Sequence, residues 1–252
     1  MGEILKVSGL CKASILNEVD FSMRAKEMVA IMGPSGSGKS TLLYQLAGMD
    51  QADKGEIWFD GMNIFGLSED EKASIRLHQM GFVFQQMNMM ANLNILDNIL
   101  MPALQAHKKV GKIKHEGSTQ RLKEKAICLM KQLGIKGLEK RSITEVSGGQ
   151  LQRACICRAV INNPKILFAD EPTGALNQGA SKEVMQEFIK LNQRGMSILM
   201  VTHDSKVASI CDRVLYLVDG KVTGELILGK YDTNDSKLRE KKMQAWLEEK
   251  KW

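Results

Sequence analysis

The residues Gly33-Pro34-Ser35-Gly36-Ser37-Gly38-Lys39-Ser40 have the types and spacing needed to hold a phosphate chain. The glycines let successive backbone N–H groups curl around an anion without Cβ clashes. A helix reads from Ser40 to Ala47, with Gly48 behind it, and its N-terminus would aim partial positive charge at the same anion. Lys39 adds a full charge suited to the β- and γ-phosphates of a nucleoside triphosphate, and the Ser40 hydroxyl is small enough to ligate Mg²⁺. Thr41 joins the expected nucleotide-contacting set. Alone, this loop says only that a triphosphate is bound; kinases, GTPases and motors share it.

Two further places carry chemistry. At Phe168-Ala169-Asp170-Glu171 an apolar strand ends in two acids. Ligands of open parallel sheets bind at the carboxyl ends of strands. Asp170 is placed to hold Mg²⁺ through its water shell, and Glu171 to act as general base on a water lined up with the γ-phosphate. Many strands end in acids before turns, so this pair gains its meaning from the phosphate loop. The second place is Val146-Ser147-Gly148-Gly149-Gln150, followed by Leu151-Gln152-Arg153 and an apolar stretch to Ile161. Ser147 can cap a helix, and two glycines expose N–H groups at its start. One triphosphate loop and two phosphate-grade helix starts in one chain suggest a site shared between two copies.

The elements that must position these residues follow from hydrophobic spacing. Residues 3–7 and 15–32 read as strands. Within them Met28–Met32 is wholly apolar and stops at Gly33, as a strand of a parallel sheet covered on both faces would. Gly55–Phe59 reads as a strand running into an Asp60-Gly61 turn. From about 86 to 164 helical spacing takes over: Leu122, Ala126, Leu129 and Leu133 share one face, and Gly134 can close that helix. Strand signals return at 165–169, 197–201 and 214–218, with a helical stretch at 179–193. That β-α-β rhythm predicts an α/β fold with a mostly parallel sheet and a helical insertion. Past Gly229 the chain turns polar and charged. There Met243, Trp246 and Leu247 predict a short helix packed on the core or on a neighbouring chain, with disorder as the alternative.

Bulk properties exclude several classes. The 252 residues, 44% hydrophobic and 25% charged, suit one domain with subdomains. Cys11, Cys128, Cys155, Cys157 and Cys211 have no disulfide-style or zinc-site spacing and read as reduced thiols of a cytosolic protein. No apolar run reaches the roughly 18 residues of a membrane span, and the N-terminus does not read as a signal peptide. The net charge of +6 is weak evidence for an anionic partner. His107 to Lys125 holds seven Lys/Arg against two Glu and reads as a solvated face of the insertion. The alternative is contact with anionic lipid headgroups or an acidic patch on a partner.

Ser147-Gly148-Gly149-Gln150 followed by Leu151-Gln152-Arg153 resembles the signature motif of the ATP-binding-cassette (ABC) ATPases, with Val146 in place of the usual leucine. Other motifs of that family stand in the right order, over residues 3 to 228. Gln85, within Gly81–Gln86, resembles the Q-loop glutamine, with Gln86 its nearest rival. Gly174-Ala175-Leu176-Asn177 resembles the D-loop, with asparagine where aspartate is commoner, and His203 resembles the switch histidine. His78, His107 and His115 lack such context and read as surface residues. The family usually carries an adenine-stacking aromatic about twenty residues before the phosphate loop. Ala13 or Ser14 aligns there, which leaves base stacking weak or supplied elsewhere.

The resemblance implies a P-loop NTPase core with a mostly parallel sheet, an antiparallel β subdomain and an inserted α-helical subdomain. The ATP-binding domain would span 1–228, with its core in 1–85 and 165–228 and the helical part at about 86–164; 229–252 would be a charged tail. ATP and Mg²⁺ are the implied cofactors. Ser40, Gln85 and Asp170 would hold the metal, while Glu171, His203 and Lys39 would be catalytic. Ser147–Gln150 would complete the site of a second copy, and Ala175, Leu176 and Asn177 would communicate between sites.

Chromosome and repair ATPases of the superfamily need a long coiled coil before the signature, and no sustained heptads lie between Ser40 and Ser147. Ribosome-binding relatives carry two cassettes per chain. The remaining class docks on a separate integral membrane permease, at the cytoplasmic face of the bacterial plasma membrane, with no nucleic acid expected. The sequence looks like the branch of macrolide exporters, lipoprotein-release ATPases and antimicrobial-peptide resistance transporters, and its D-loop and tail lean to the last. Mechanical or regulatory work without transport is the alternative.

Overall fold

A computed structural model describes residues 2–109 and 116–250. The chain lays down β1 (Glu3–Lys12), β2 (Leu16–Arg24), β3 (Met28–Met32), α1 (Lys39–Leu46), β4 (Lys54–Phe59), β5 (Met62–Asn63), α2 (Glu69–Gln79) and β6 (Met80–Val83). Helices follow: α3 (Ile95–Lys109), α4 (Glu116–Gln132), a 3-10 turn at Ile143–Glu145, and α5 (Gly148–Val160). Then come β7 (Ile166–Asp170), α6 (Gln178–Gln193), β8 (Ser197–Val201), α7 (Ser205–Ser209), β9 (Arg213–Val218), β10 (Lys221–Ile227), a second 3-10 turn at Thr233–Asp235, and α8 (Ser236–Glu249).

Among the described residues two sheets form. The larger runs β10-β9-β3-β8-β7-β6, parallel from β9 to β6 with β10 antiparallel at one edge. β3, β7 and β8 are buried at every position, because both faces of this sheet are covered. Alternation along β3 divides the core. Met28, Ala30 and Met32 pack with residues of α3 to α6, while Val29 and Ile31 pack with α1 and the smaller sheet. That smaller sheet, β2-β1-β4-β5, is antiparallel throughout. The α/β class and the mixed sheets expected from the sequence are therefore present.

Differences lie where the pattern is faint. The run 15–32 is two strands, β2 and β3, broken at Ala25–Glu27. α2 shows no apolar stripe because it buries only Lys72 and Ile75, and a Ser68–Glu71 capping box starts it instead. β10 alternates only between exposed and half-buried positions, as an edge strand does. The i, i+3, i+4 triplet near the C-terminus lies on α8. Met243 and Leu247 are buried in the larger core cluster, and Trp246 packs edge-on to Tyr216. Arg239 pins this helix: its guanidinium donates to the carbonyls of Ser209, Cys211, Leu228, Gly229 and Lys230. Among the described residues no helix is long and apolar enough to cross a membrane.

Candidate functional site

The loop between β3 and α1 lines a cavity of about 780 Å³ with Gly33, Pro34, Ser35, Gly36, Gly38, Lys39, Ser40 and Thr41. Its shape depends on missing side chains. A Cβ on Gly33 would lie 1.9 Å from the Leu217 carbonyl oxygen, and Gly38, at φ +95°, backs onto Ile15 and Leu16. Lys39, 9% exposed, donates to the carbonyls of Gly33 at 2.8 Å and Pro34 at 2.7 Å. Burial holds its ammonium below the usual lysine range, opposed by the charges of Glu171 and Asp170. The Ser37 hydroxyl is buried with no hydrogen-bond partner. An orphaned hydroxyl, a buried ammonium and a Cβ-free curl of backbone fit a phosphate chain.

Three adjacent parallel strands deliver the other groups at their carboxyl ends. β7 ends in Asp170, which accepts from Ser40 Oγ at 2.9 Å and from the Tyr44 hydroxyl at 2.8 Å. Glu171 follows with φ +43°, a left-handed conformation rare for a residue with a side chain, and its N–H is tied to the Val201 carbonyl at 2.9 Å. Gln85, two residues past β6, donates to Glu171 Oε2 at 3.1 Å. His203, two residues past β8, brings Nδ1 within 3.2 Å of Glu171 Oε1. Ser40, Asp170 and Gln85 offer the hard oxygen donors that Mg²⁺ prefers, so the donor set fits that ion.

Ser147–Gln150 stands elsewhere. Ser147 caps α5 by accepting from Gln150 N–H, while Gln150 Oε1 accepts from Ser147 N–H at 2.9 Å. Among the described residues that line the phosphate cavity, none belongs to this segment. It adjoins the Gly174–Asn177 turn instead: a Cβ on Gly148 would meet Leu176 at 3.3 Å, and one on Gly149 would meet Ala180 at 3.0 Å. Asn177 caps α6, its Oδ1 accepting from Ala180 N–H at 2.9 Å. Asparagine keeps that cap as aspartate would, which accounts for its tolerance here.

Several residues escaped sequence reasoning. Ile15, 39% exposed, lines the cavity beside Gly38, one place beyond the Ala13–Ser14 position expected for a base contact. Tyr216, almost fully buried, also lines it. Tyr44, four residues after Ser40 and thus on the same face of α1, reaches Asp170, and only that helical spacing could have flagged it. Burial first, then its hydrogen bond to Asp170, pushes its hydroxyl up to about 12. His78 and His107, expected on the surface, are half-buried, with Nδ1 against the Ser74 and Ala103 carbonyls respectively. His115 lies outside the described residues, as does part of the basic stretch around it.

The ABC transporter family model matches residues 16–174. The macrolide export ATP-binding/permease protein MacB of Escherichia coli is 41% identical over 212 residues, covering 84% of this chain and 31% of MacB. The present chain thus spans less than a third of that relative. The lipoprotein-releasing system ATP-binding protein LolD of Aquifex aeolicus is 40% identical over 230 residues, covering 90% of this chain and 99% of LolD. The bacitracin export ATP-binding protein BceA of Halalkalibacterium halodurans is 38% identical over 221 residues, covering 87% and 84%. A dimeric bacterial ABC transporter cassette superposes with a TM-score of 0.80 at 34% identity, covering 90% of this chain and all of that one. The same cassette in a dimeric post-hydrolysis state, bound to ADP and Pi, gives 0.79. The chain belongs to the ABC transporter family. Within it, the chain carries the ATP-binding cassette, an ATPase.

Proposed function

We propose that two copies of this chain close head to tail around two ATP molecules and pass the resulting stroke to a separate membrane permease. One observation carries the reading. The capped, glycine-rich start of α5 is built for an anion, yet it lies outside the phosphate cavity of its own chain. A second copy supplies the missing anion, and the dimeric cassette relatives support that arrangement. The domain then spans 1–228, with its core in 1–85 and 165–228 and a helical part at about 86–164, while 229–252 forms the tail.

Each ATP lies between Gly33–Thr41 of one copy and Ser147-Gly148-Gly149-Gln150 of the other. The loop N–H groups and Lys39 bind the phosphates, which replace the Gly33 and Pro34 carbonyls on the ammonium. Ser40, Asp170 and Gln85 would hold Mg²⁺, which when bound would neutralise charge on the phosphate oxygens. Glu171 takes a proton from the attacking water, and Lys39 and His203 stabilise charge developing on the γ-phosphate. Losing that phosphate removes the bridge between copies, and the pair opens. Ala175, Leu176 and Asn177, set against Gly148 and capping α6, link the two sites. Gln85 passes the motion on, because its loop adjoins a groove lined by Phe82, Phe84 and Arg158.

The permease sits in the bacterial plasma membrane and this chain at its cytoplasmic face. The likeness to a bacitracin exporter's ATP-binding protein supports a role in export of, or resistance to, antimicrobial peptides. A second reading has equal sequence support: work without transport, such as lipoprotein release, for which LolD is the relative. Affinity capture of the tagged chain from membranes of its host, with mass spectrometry of what is retained, tests the proposal. A co-purifying permease is expected. Recovery of nucleic acid or ribosomes with no membrane protein would overturn it.

A further inference from the structure

Asp170 is engaged at both oxygens, and only one of its two donors belongs to the proposed metal site. Ser40 Oγ donates to Oδ1 at 2.9 Å, and Tyr44 donates to Oδ2 at 2.8 Å. Tyr44 lies one turn beyond Ser40 on α1, so both hydroxyls leave the same side of the helix. Its ring is also seated: it tilts against Phe84 with centroids 6.5 Å apart. Phe84 stacks on Phe82 at 5.6 Å, and Phe82 on Phe168 at 5.2 Å. The rings therefore run from β7, two residues before Asp170, through the segment just before Gln85, and back to the Asp170 carboxylate.

A carboxylate with one donor keeps freedom to rotate about its Cβ–Cγ bond. A second donor on a fixed ring removes it. Ser40 is itself a candidate metal ligand, so Tyr44 is the donor left to orient Asp170 when Ser40 turns to other work. We infer that Tyr44 is a positioning residue for the metal carboxylate, its hydroxyl fixing the plane of Asp170 from a ring braced by Phe84 next to Gln85. This rests on the reading of Asp170 as the carboxylate that holds Mg²⁺.

Tyr44→Phe removes the hydroxyl and keeps the ring against Phe84, so the packing survives. The experiment titrates Mn²⁺, followed by electron paramagnetic resonance, into the full chain with a non-hydrolysable ATP analogue. It compares wild type, Tyr44→Phe and Asp170→Asn, and measures metal-free affinity for the analogue in parallel. Tyr44→Phe is expected to weaken Mn²⁺ binding about tenfold and to leave metal-free affinity unchanged. Wild-type Mn²⁺ affinity in Tyr44→Phe, with Asp170→Asn impaired, would overturn the inference about Tyr44 alone. So would a loss in Tyr44→Phe that is equally large without metal, since that marks a merely structural role. Wild-type Mn²⁺ affinity in Asp170→Asn would overturn the underlying metal assignment.

Discussion

His203 Nδ1 lies 3.2 Å from Glu171 Oε1, and the other oxygen of that carboxylate accepts a hydrogen bond from Gln85 at 3.1 Å. Three segments distant in sequence meet at one group because β6, β7 and β8 are neighbours in a parallel sheet and end at the same edge. With both oxygens engaged, Glu171 is held on the lining of the cavity, and under the proposed function it is the base for the attacking water. His203 contacts Glu171 and lines the same cavity, so if it acts on the γ-phosphate as proposed, its loss should affect turnover more than binding. His203→Ala is expected to lower kcat roughly 100-fold while the ATP dissociation constant shifts less than about threefold. Steady-state turnover and nucleotide titration of the variant check this; a binding loss as large as the rate loss would contradict it.

Lys39, unlike His203, should serve both binding and turnover. Its ammonium rests on the Gly33 and Pro34 carbonyls and is buried, poised for an anion. Lys39→Ala removes a charge-assisted contact and should weaken ATP binding about 100-fold, with hydrolysis lost. Calorimetric titration with ATP measures the first effect, and wild-type-like turnover would refute the phosphate-loop assignment.

Arg239 is a matter of stability alone. Its guanidinium donates to carbonyls around α7 and after β10, tying α8 to both. Arg239→Ala should destabilise the chain by about 3 kcal/mol and lower Tm by roughly 5–10 °C, with ATP affinity little changed. Thermal melts and nucleotide binding on one preparation test both halves.

The cysteines should react in an order set by burial. Cys128 is exposed and Cys11 half-buried. Burial pushes the Cys155 thiol up to about 11 and those of Cys157 and Cys211 further up. Because the thiolate is the nucleophile, an aromatic disulfide reagent at pH 8 should label Cys128 first and Cys11 more slowly. Cys155, Cys157 and Cys211 should react only after unfolding. Peptide mapping of the labelled chain checks this order, and labelling of Cys155, Cys157 or Cys211 in the folded chain would contradict it.

Much of the site is legible in the sequence because its chemistry is local. Gly33–Ser40 and Ser147–Gln150 are backbone motifs whose glycines and caps are adjacent in the chain, and the wholly apolar strands β3 and β7 stop where the chemistry begins. What is not legible depends on contacts across the fold. Tyr44 meets a carboxylate 126 residues away; its spacing from Ser40 puts it on the right face of α1, but only the fold brings Asp170 to it. Ile15 comes to the cavity because the β1–β2 turn folds against Gly38 and Gly220, and an aliphatic residue there carries no signal. Of Gln85 and Gln86, side by side in sequence, only the fold shows that Gln85 is the one whose amide reaches Glu171. His78 and His107 look like surface residues because their burial comes from helices α2 to α5 packing together, which periodicity within one helix does not report.

The most direct test of the account uses Glu171→Gln. The substitution keeps the shape of the side chain and removes its basicity. ATP should bind as before, and hydrolysis should fall by about 10²–10⁴-fold. A bridge between two copies that persists because its phosphate is not lost should then accumulate as a dimer. Size-exclusion chromatography with light scattering, run with and without saturating ATP and Mg²⁺, reads this out. The account predicts a monomer without nucleotide and a dimer with it. A Glu171→Gln chain that binds ATP and stays monomeric would contradict the shared site.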